Sequence, residues 1–398
     1  MPRDGILPAR SPRALDLLNF FVADAQTGFG AFVAVYLTTH KWTQVEIGLA
    51  LTVGTVTALI CQIPAGAIVD AAHNKRAAAG AGLVGIMIAA LLLALWPTEL
   101  PVLIAQVLHA TASCVVTPAI AAISLHLVGH ADLGERLGRN ARFASIGNGL
   151  AAAVMGASGG FLSSRSVFWL TAALCVPALA SLAAIGRGQH SRRQTTAPLL
   201  DGPGLRRLFR DRRLLVFGAC VLLFHLSNAA MLPLAGAEVT MRAGEFANII
   251  IAACIVVPQV VVAAASPSVG RAAARLGRRP VLLLGWAALP LRGVLLAVLP
   301  GAYLLVGAQV VSGISAAVFG VMLPLLAADM TRGTSHFNLC LGVLGLMVSI
   351  GAALSTLLAG WVADVAGVNV AFFSLAAAGL IGMGLLWVAM PETRDDRE

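Results

Sequence analysis

Apolar stretches of about 20 residues alternate with short polar segments along almost the whole chain. Each stretch is long enough to cross a hydrocarbon layer of roughly 30 Å as an α-helix. Prolines such as Pro97 and Pro300 stand beside the ends of these stretches, where the missing backbone N–H is tolerated best. The pattern predicts twelve transmembrane helices, at residues 15–38, 45–69, 77–96, 101–128, 140–163, 166–186, 214–235, 246–266, 280–300, 302–328, 339–363 and 367–390.

The composition excludes a water-soluble protein and a disordered one. Of the 398 residues, 59% are hydrophobic and only 11% are charged, and the mean hydropathy is +0.88. A soluble domain has about 45–50% apolar and about 25% charged residues. The six cysteines lie inside the apolar stretches without a C-x-x-C pair, so we expect neither disulfides nor a zinc site.

Lysine and arginine are distributed very unevenly between the two alternating sets of loops. The set that includes both termini holds 23 of the 27, and the other set holds only Lys41, Arg165 and Arg242. Because basic loops stay on the cytoplasmic side, we predict a multi-pass inner-membrane protein with both termini in the cytoplasm.

One long basic segment, residues 187–213, separates six spans from six. A basic segment can bind nucleic acid, but between two membrane helices it more simply maintains topology and contacts anionic lipid head groups. We therefore predict an N-terminal six-helix bundle over 1–186, a cytoplasmic linker over 187–213 and a C-terminal six-helix bundle over 214–398, with no nucleic-acid partner.

Three landmarks recur in the same order in the two halves. Gly66 precedes Gly270 by 204 positions, and Gln106 precedes Gln309 by 203. Asn140 and Asn338, 198 positions apart, open spans 5 and 11. This repeat predicts an all-α membrane protein of two pseudo-symmetric bundles around a central cavity. Duplicated bundles of this kind are typical of alternating-access transporters, whose substrate site lies at the repeat interface near the middle of the membrane.

The segment between spans 2 and 3 reads G-x-x-x-D-x-x-x-x-K-R, from Gly66 and Asp70 to Lys75 and Arg76. With the twelve spans and the repeat, it resembles the signature of the major facilitator superfamily, and Gly270 to Arg279 looks like a degenerate copy of it. His73 stands where that family usually has glycine, and Gln106 stands where its drug exporters commonly have arginine. The resemblance implies a monomeric secondary transporter, similar to drug–proton antiporters, that exports a small solute. It also implies a gating role for Gly66, Asp70, Lys75, Arg76, Arg278 and Arg279.

Polar side chains inside the spans mark the helices that line the expected cavity. Spans 3, 6 and 12 carry almost none, so we expect them to be peripheral. The ninth span departs from this pattern because it contains Arg292, which we expect either to extend toward the membrane surface or to form a salt bridge inside the second half. The predicted substrate-binding residues are Asp24, Gln62, Gln106, His109, Asn148, His225, Asn228, Gln259 and Gln309.

Asp24 is the leading candidate for proton coupling. It lies about nine residues into the first span, roughly 14 Å deep at 1.5 Å per residue, where an ionised carboxylate costs about 2.5–3.5 kcal/mol. Such a residue persists when it is paired, protonated or used in transport. His225, in the corresponding span of the second half, is the second proton-coupling candidate, and a structural hydrogen bond is its equally good alternative.

Other functions are less compatible with the chain. Lysine occurs only at positions 41 and 75, and no G-x-x-x-x-G-K-[ST] sequence exists, which excludes ATP hydrolysis by a P-loop. We expect no cofactor, no bound metal and no enzymatic activity. Two alternatives stay open: transport of a metal ion or siderophore-like chelate through Asp24 and His225, and a polytopic enzyme or receptor without a transport cycle.

Overall fold

The computed structural model describes residues 10–29, 31–186, 206, 209–242, 247–298 and 301–393, and this part of the chain is almost entirely helical. The predicted linker 187–213 lies largely outside it. The fourteen helices in the described ranges are α1 (Arg10–Thr27), α2 (Ala31–Thr39), α3 (Gln44–Ala71), α4 (Lys75–Leu95), α5 (Glu99–Val128), α6 (Leu133–Phe161), α7 (Ser166–Ala184), α8 (Arg212–Asn228), α9 (Met231–Arg242), α10 (Ala247–Leu276), α11 (Arg278–Val298), α12 (Ala302–Met330), α13 (Phe337–Ala366) and α14 (Val368–Ala389).

Local sequence signals explain where several helices begin. Thr43 caps α3 by accepting a hydrogen bond from the backbone N–H of Glu46, whose carboxylate accepts one from the N–H of Thr43 in return. Asn74 caps α4, and Asp211 caps α8 by accepting from the N–H of Arg213. Each cap satisfies backbone donors that have no partner inside the helix.

Eleven helical segments in the described ranges are long and apolar enough to cross a membrane. The predicted span that is not among them is the fifth, at residues 140–163, which corresponds to α6, a helix of 29 residues. Its first turns contain charged residues and the rest is rich in glycine, which lowers its hydropathy. The first span comprises α1 and α2, and the seventh comprises α8 and α9. These two interruptions were not predicted from the sequence.

The described residues form two compact units. The first contains those within 1–133, 143–200 and 333–342, and the second contains those within 134–142, 201–332 and 343–398. In the first unit α4 packs against α5 and α7, α3 packs against α5, and α1 packs against α7. Leu83 and Ile86 of α4 are completely buried, and the hydroxyl of Tyr36 donates to the carbonyl oxygen of Leu93 at 2.6 Å.

In the second unit α11 packs against α12 and α14, α10 packs against α12, and α8 packs against α14. The aromatic rings of Phe224, Trp286 and Phe319 lie together, with centroids 4.6 Å apart for Phe224 and Phe319 and 4.7 Å apart for Phe224 and Trp286. This cluster places bulky apolar groups beside the interruption between α8 and α9.

Glycine allows equivalent close backbone contacts in both units. In the first unit, a Cβ atom at Gly66 would clash with the backbone of Asn338, and one at Gly342 would clash with the carbonyl oxygen of Gln62. The second unit repeats the contacts one for one, between Gly270 and Gly134 and between Gly138 and Ser266. Close helix packing is the general use of such glycines in membranes.

These contacts correct one landmark of the repeat. Adding 204 to positions 62, 66, 134 and 138 gives 266, 270, 338 and 342, so the equivalent of Asn338 is Gly134. The predicted pairing of Asn140 with Asn338 is wrong. Asn140 lies further along α6, where its side-chain oxygen accepts a hydrogen bond from Arg136 at 2.8 Å.

Candidate functional site

Asp24 lies near the end of α1 and is buried, with 3% of its surface exposed. Its Oδ1 atom is shielded from solvent and has no hydrogen-bond partner among the described residues. Gly147 of α6 lies beside it, because a Cβ atom there would be 3.3 Å from Oδ1. One turn further along α1, the hydroxyl of Thr27 donates to the side-chain oxygen of Asn148 at 3.1 Å. The structure therefore brings Asp24 and Asn148 to the same crossing of α1 and α6.

Phe29 connects this crossing to His109 of α5. The two rings are stacked, with centroids 3.8 Å apart and planes 8° apart. Nε2 of His109 lies 3.3 Å from the hydroxyl of Ser113, within hydrogen-bond distance. Gln106, one turn earlier on α5, is buried, and its Nε2 atom has no partner in the described part of the chain.

The two helix interruptions occur at corresponding places of the two halves. Thr27 ends α1 shortly before α2 begins, and Asn228 ends α8 just before α9 begins. At the second interruption, the N–H of Ala230 donates to the hydroxyl of Ser355 at 3.0 Å. In membrane proteins built from repeats, matching interruptions of this kind are the best local indication of a binding site.

Asn228 belongs to a buried polar group in the second unit. Arg292 of α11 donates to Oδ1 of Asn228 at 2.7 Å and to Oε1 of Gln309 at 3.2 Å. Only 2% of the Arg292 surface is exposed. The expectation that Arg292 extends outward is wrong, because its side chain is buried, and it forms no ion pair with a described carboxylate. Two neutral amides from neighbouring helices bind it instead.

His225, one turn before Asn228, packs against aromatic rings. Its ring centroid lies 4.8 Å from that of Phe319, nearly at a right angle, and Gly351 of α13 leaves room for its Cβ atom. Its Nε2 atom is buried and makes no hydrogen bond to any described residue. The structural hydrogen bond considered as the alternative for His225 is therefore not seen at this nitrogen.

The structure does not bring the last two predicted substrate-binding residues, Gln62 and Gln259, to the groups around Asp24 or Asn228. Gln62 lies at the crossing of α3 with Gly342, and Gln259 lies half-buried on α10. The residues that sequence reasoning left out of the site are Arg292, Thr27 and Phe29. For Arg292 the sequence did contain a signal, because it is an arginine inside an otherwise apolar span.

Asp70 binds the N-terminus of α13. Its Oδ1 atom accepts from the backbone N–H and the side-chain amide of Asn338 at 3.0 and 2.7 Å, and its Oδ2 atom accepts from the N–H of Leu339 at 2.8 Å. A carboxylate at this end of a helix satisfies free N–H groups and is attracted by the helix dipole. The gating role expected of Asp70 stays a prediction.

The other predicted gating residues also stabilise helix ends. Lys75 donates to the carbonyl oxygens of Val69 and Asp70 at 2.6 and 2.8 Å, at the end of α3, and Arg76 donates to the carbonyl of Ile185. In the second unit, Arg278 forms an ion pair with Asp329 at 3.0 Å, and Arg279 donates to the carbonyl of Trp387. Cations near helix C-termini are favoured by the dipole.

Replacing Gly66 with alanine is expected to destabilise the protein. The added Cβ atom would lie 2.8 Å from the carbonyl carbon of Asn338, so α3 and α13 would have to separate. Overpacking of this kind costs about 1–3 kcal/mol. The matched control is Gly48→Ala on the same helix, where no atom lies within 4 Å. Thermal unfolding in detergent should show a lower midpoint for Gly66→Ala only, and equal midpoints would contradict the close contact.

Comparison with known proteins identifies the family. The model of the Major Facilitator Superfamily matches residues 15–257 and 228–398. The chain belongs to the major facilitator superfamily. An uncharacterized MFS-type transporter of Mycobacterium tuberculosis, found in two strains, is 40% identical over 397 residues, covering 98% of this chain and 95% of the relative.

Solved structures share the fold of this superfamily transporter. The human organic anion transporter MFSD10 superposes with a TM-score of 0.76 at 16% identity, covering 95% of this chain and 100% of that one. A variant of the E. coli fucose:proton symporter FucP gives a TM-score of 0.73 at 16% identity, covering 94% and 98%. The family and the fold establish a multi-pass membrane protein that is a secondary transporter of small molecules and not an enzyme.

The superfamily transporter shows no cluster suited to a metal ion within its described residues. No group of three or more histidine, cysteine, aspartate or glutamate side chains there is close enough to hold one. The groups that do converge, around Asp24 and around Asn228, consist of carboxylate, amide, hydroxyl and guanidinium. They suit proton exchange and hydrogen bonding to an organic solute.

Proposed function

We propose that this transporter exports a small organic solute across the cytoplasmic membrane by alternating access, in exchange for protons. Asp24 is the proton carrier, and His225 is a second group that can take part. The transporter works as a monomer with both termini in the cytoplasm, and its basic loops contact anionic lipid head groups. Driving force comes from the membrane potential and the pH gradient, since one elementary charge moving across 100 mV is worth about 2.3 kcal/mol.

The observation that carries the proposal is the environment of Asp24. An ion pair would hold this buried carboxylate permanently charged, but no cation among the described residues contacts it. Its Oδ1 atom is left without a hydrogen bond, while Thr27 bonds to Asn148 rather than to the carboxylate. A carboxyl group in this state can bind and release a proton without breaking an ion pair, and without breaking a hydrogen bond at Oδ1, among the described residues.

The position of Asp24 supports a link between the proton and the solute. It lies one helical turn before the interruption between α1 and α2, the kind of place where repeat-built transporters bind solutes. Asn148 and His109 lie on the helices around it and offer hydrogen-bonding groups. We favour export over uptake because the sequence resembles the major facilitator superfamily, in which drug–proton antiporters are the commonest similar class.

The test is a proton-flux measurement in proteoliposomes that enclose a pH-sensitive dye, with the lumen more acidic than the medium. The solute is one that raises the unfolding temperature of the purified protein. Addition of the solute outside should make the lumen more alkaline, because solute entry drives proton exit. Acidification would show symport instead, and solute uptake without any change of lumenal pH would contradict proton coupling. Protein-free liposomes and liposomes with a collapsed gradient are the controls.

A further inference from the structure

Arg292 is a buried cation whose charge no described carboxylate balances. Asp329 in the second unit forms ion pairs with Arg278 and Arg332, not with Arg292. Its two hydrogen-bond partners are the neutral amides of Asn228 and Gln309, and its Nε atom has none. Burying a charge costs several kcal/mol even after relaxation. Buried charges inside membrane proteins are therefore usually functional.

The end of α8 offers only partial compensation. Asn228 is its last residue, so Arg292 lies near the negative end of this helix. The dipole of a helix is equivalent to roughly half an elementary charge at each end. A residual positive charge therefore remains within the second unit.

Arg292 also determines how the amide of Asn228 is oriented. A guanidinium has only donors, so the amide must direct its oxygen toward Arg292 and its Nδ2 group away from it. No described residue accepts a hydrogen bond from this Nδ2 group, and Asn228 is only half-buried. Gln309 is fixed in the same way, because its Oε1 atom accepts from Arg292 and its Nε2 group donates to the carbonyl of Leu305 at 3.2 Å.

An amide donor with a cation behind it selects for negatively charged oxygen atoms. Hydrogen bonds to ionised groups are roughly twice as strong as neutral ones, and a polarised chain of bonds strengthens each member. We propose that Asn228, supported by Arg292 and Gln309, is a subsite for the carboxylate or sulfonate group of the transported solute. This inference rests on the proposed transport function and specifies organic anions as the substrate class.

The test compares acids with their neutral amides on the purified full-length protein. The probes are benzoate, p-aminohippurate and naphthalene-2-sulfonate, each with its primary amide or sulfonamide, and binding is measured by calorimetry and thermal shift. At least one acid should bind the wild type at least about tenfold more tightly than its neutral partner, a difference of about 1.4 kcal/mol. Absence of binding by every acid, or equal binding of acid and amide, would overturn the proposal.

Arginine variants test whether this preference depends on the charge. Arg292→Met should weaken binding of the acid at least about tenfold, and Arg292→Lys, which keeps the charge, should lose less. The control is Arg165→Gln, which removes an exposed arginine from the first unit and should bind like the wild type. Binding to Arg292→Met within about twofold of the wild type would contradict the inference.

Asn228→Asp provides a variant that should remain folded. It places a carboxylate beside Arg292, so it should unfold at a temperature no lower than the wild type and should no longer bind the acids. Retained binding in this variant would overturn the subsite.

Failure of the subsite and failure of the transport proposal give different experimental results. If both variants lose acid binding but the wild type shows no solute-coupled proton flux, the subsite is supported and proton-coupled transport is not. If the wild type shows coupled proton flux but acid binding does not depend on Arg292, transport is supported and the subsite is not.

Discussion

Replacing Asp24 with asparagine is expected to abolish solute accumulation driven by a pH gradient, while solute exchange at equal pH continues within a few-fold of the wild-type rate. Asparagine has nearly the same size and keeps a carbonyl oxygen, but it cannot carry a proton. Because Oδ1 of Asp24 has no hydrogen bond among the described residues to lose, folding should be little affected. The substitution therefore separates proton coupling from solute binding.

The measurement uses radiolabelled solute in proteoliposomes, with and without an imposed gradient. Asp364→Asn is the matched control, since Asp364 is an exposed carboxylate on α13 and its loss should change neither rate. Accumulation should fall to the level of protein-free liposomes for Asp24→Asn alone. Undiminished accumulation would eliminate Asp24 as the proton carrier, and loss of exchange as well would indicate a role in binding or folding.

Replacing Asp70 with asparagine should release the first turn of α13. At least one of the three hydrogen bonds to Asn338 and Leu339 would be lost, because one carboxylate oxygen becomes an N–H₂ group that faces a backbone donor, and the bonds that remain lose their charged acceptor. Hydrogen bonds to charged groups contribute about 1.5–3 kcal/mol each, and the helix dipole adds about 0.3–1 kcal/mol. One lost bond and the lost charge together cost about 2–4 kcal/mol, which corresponds to an increase of roughly 30- to 1,000-fold in local opening.

Amide hydrogen exchange of residues 337–342 measures this opening directly. The graded control is Asn338→Ala, which removes only the side-chain bond to Asp70, keeps the carboxylate charge at the helix end, and should raise exchange less than Asp70→Asn does. Exchange that is equal in Asp70→Asn and the wild type would show that the carboxylate does not hold the start of α13. A transport cycle that requires this turn to open should also run with altered rates in the variant.

The approximate positions of the membrane helices could be predicted because hydropathy and length constrain them strongly, but α6 begins at Leu133 instead of residue 140 and α10 ends at Leu276 instead of residue 266. The two interruptions, which follow Thr27 and Asn228, could not be predicted. The first includes Gly28 and Phe29, and the second contains only Ala229 and Ala230. At the second interruption, the hydroxyl of Ser355 accepts a hydrogen bond from the backbone N–H of Ala230, and it lies 125 residues away in the sequence.

The candidate site was predicted less completely than the fold, for a related reason. Asp24 and Arg292 could be selected because they are charged residues inside apolar spans. The partners of their side chains could not be predicted, because they depend on which helices are neighbours. Asn228 and Gln309 were selected as polar residues in apolar spans, and only packing shows that they bind the same guanidinium. The equivalent of Asn338 in the first half was predicted wrongly as Asn140, because two asparagines near the predicted helix starts look alike in sequence. The helix contacts show that the equivalent position is Gly134.

The assignment of residues to the two units bears on how the polypeptide can be divided. Residues 333–342 cluster with the first unit although they follow the basic segment in sequence, and residues 134–142 cluster with the second although they precede it. A gene cut within that segment would yield two fragments, each missing about ten residues of its own unit. Co-production of both fragments in one membrane supplies each unit with its full complement, whereas either fragment purified alone is structurally incomplete.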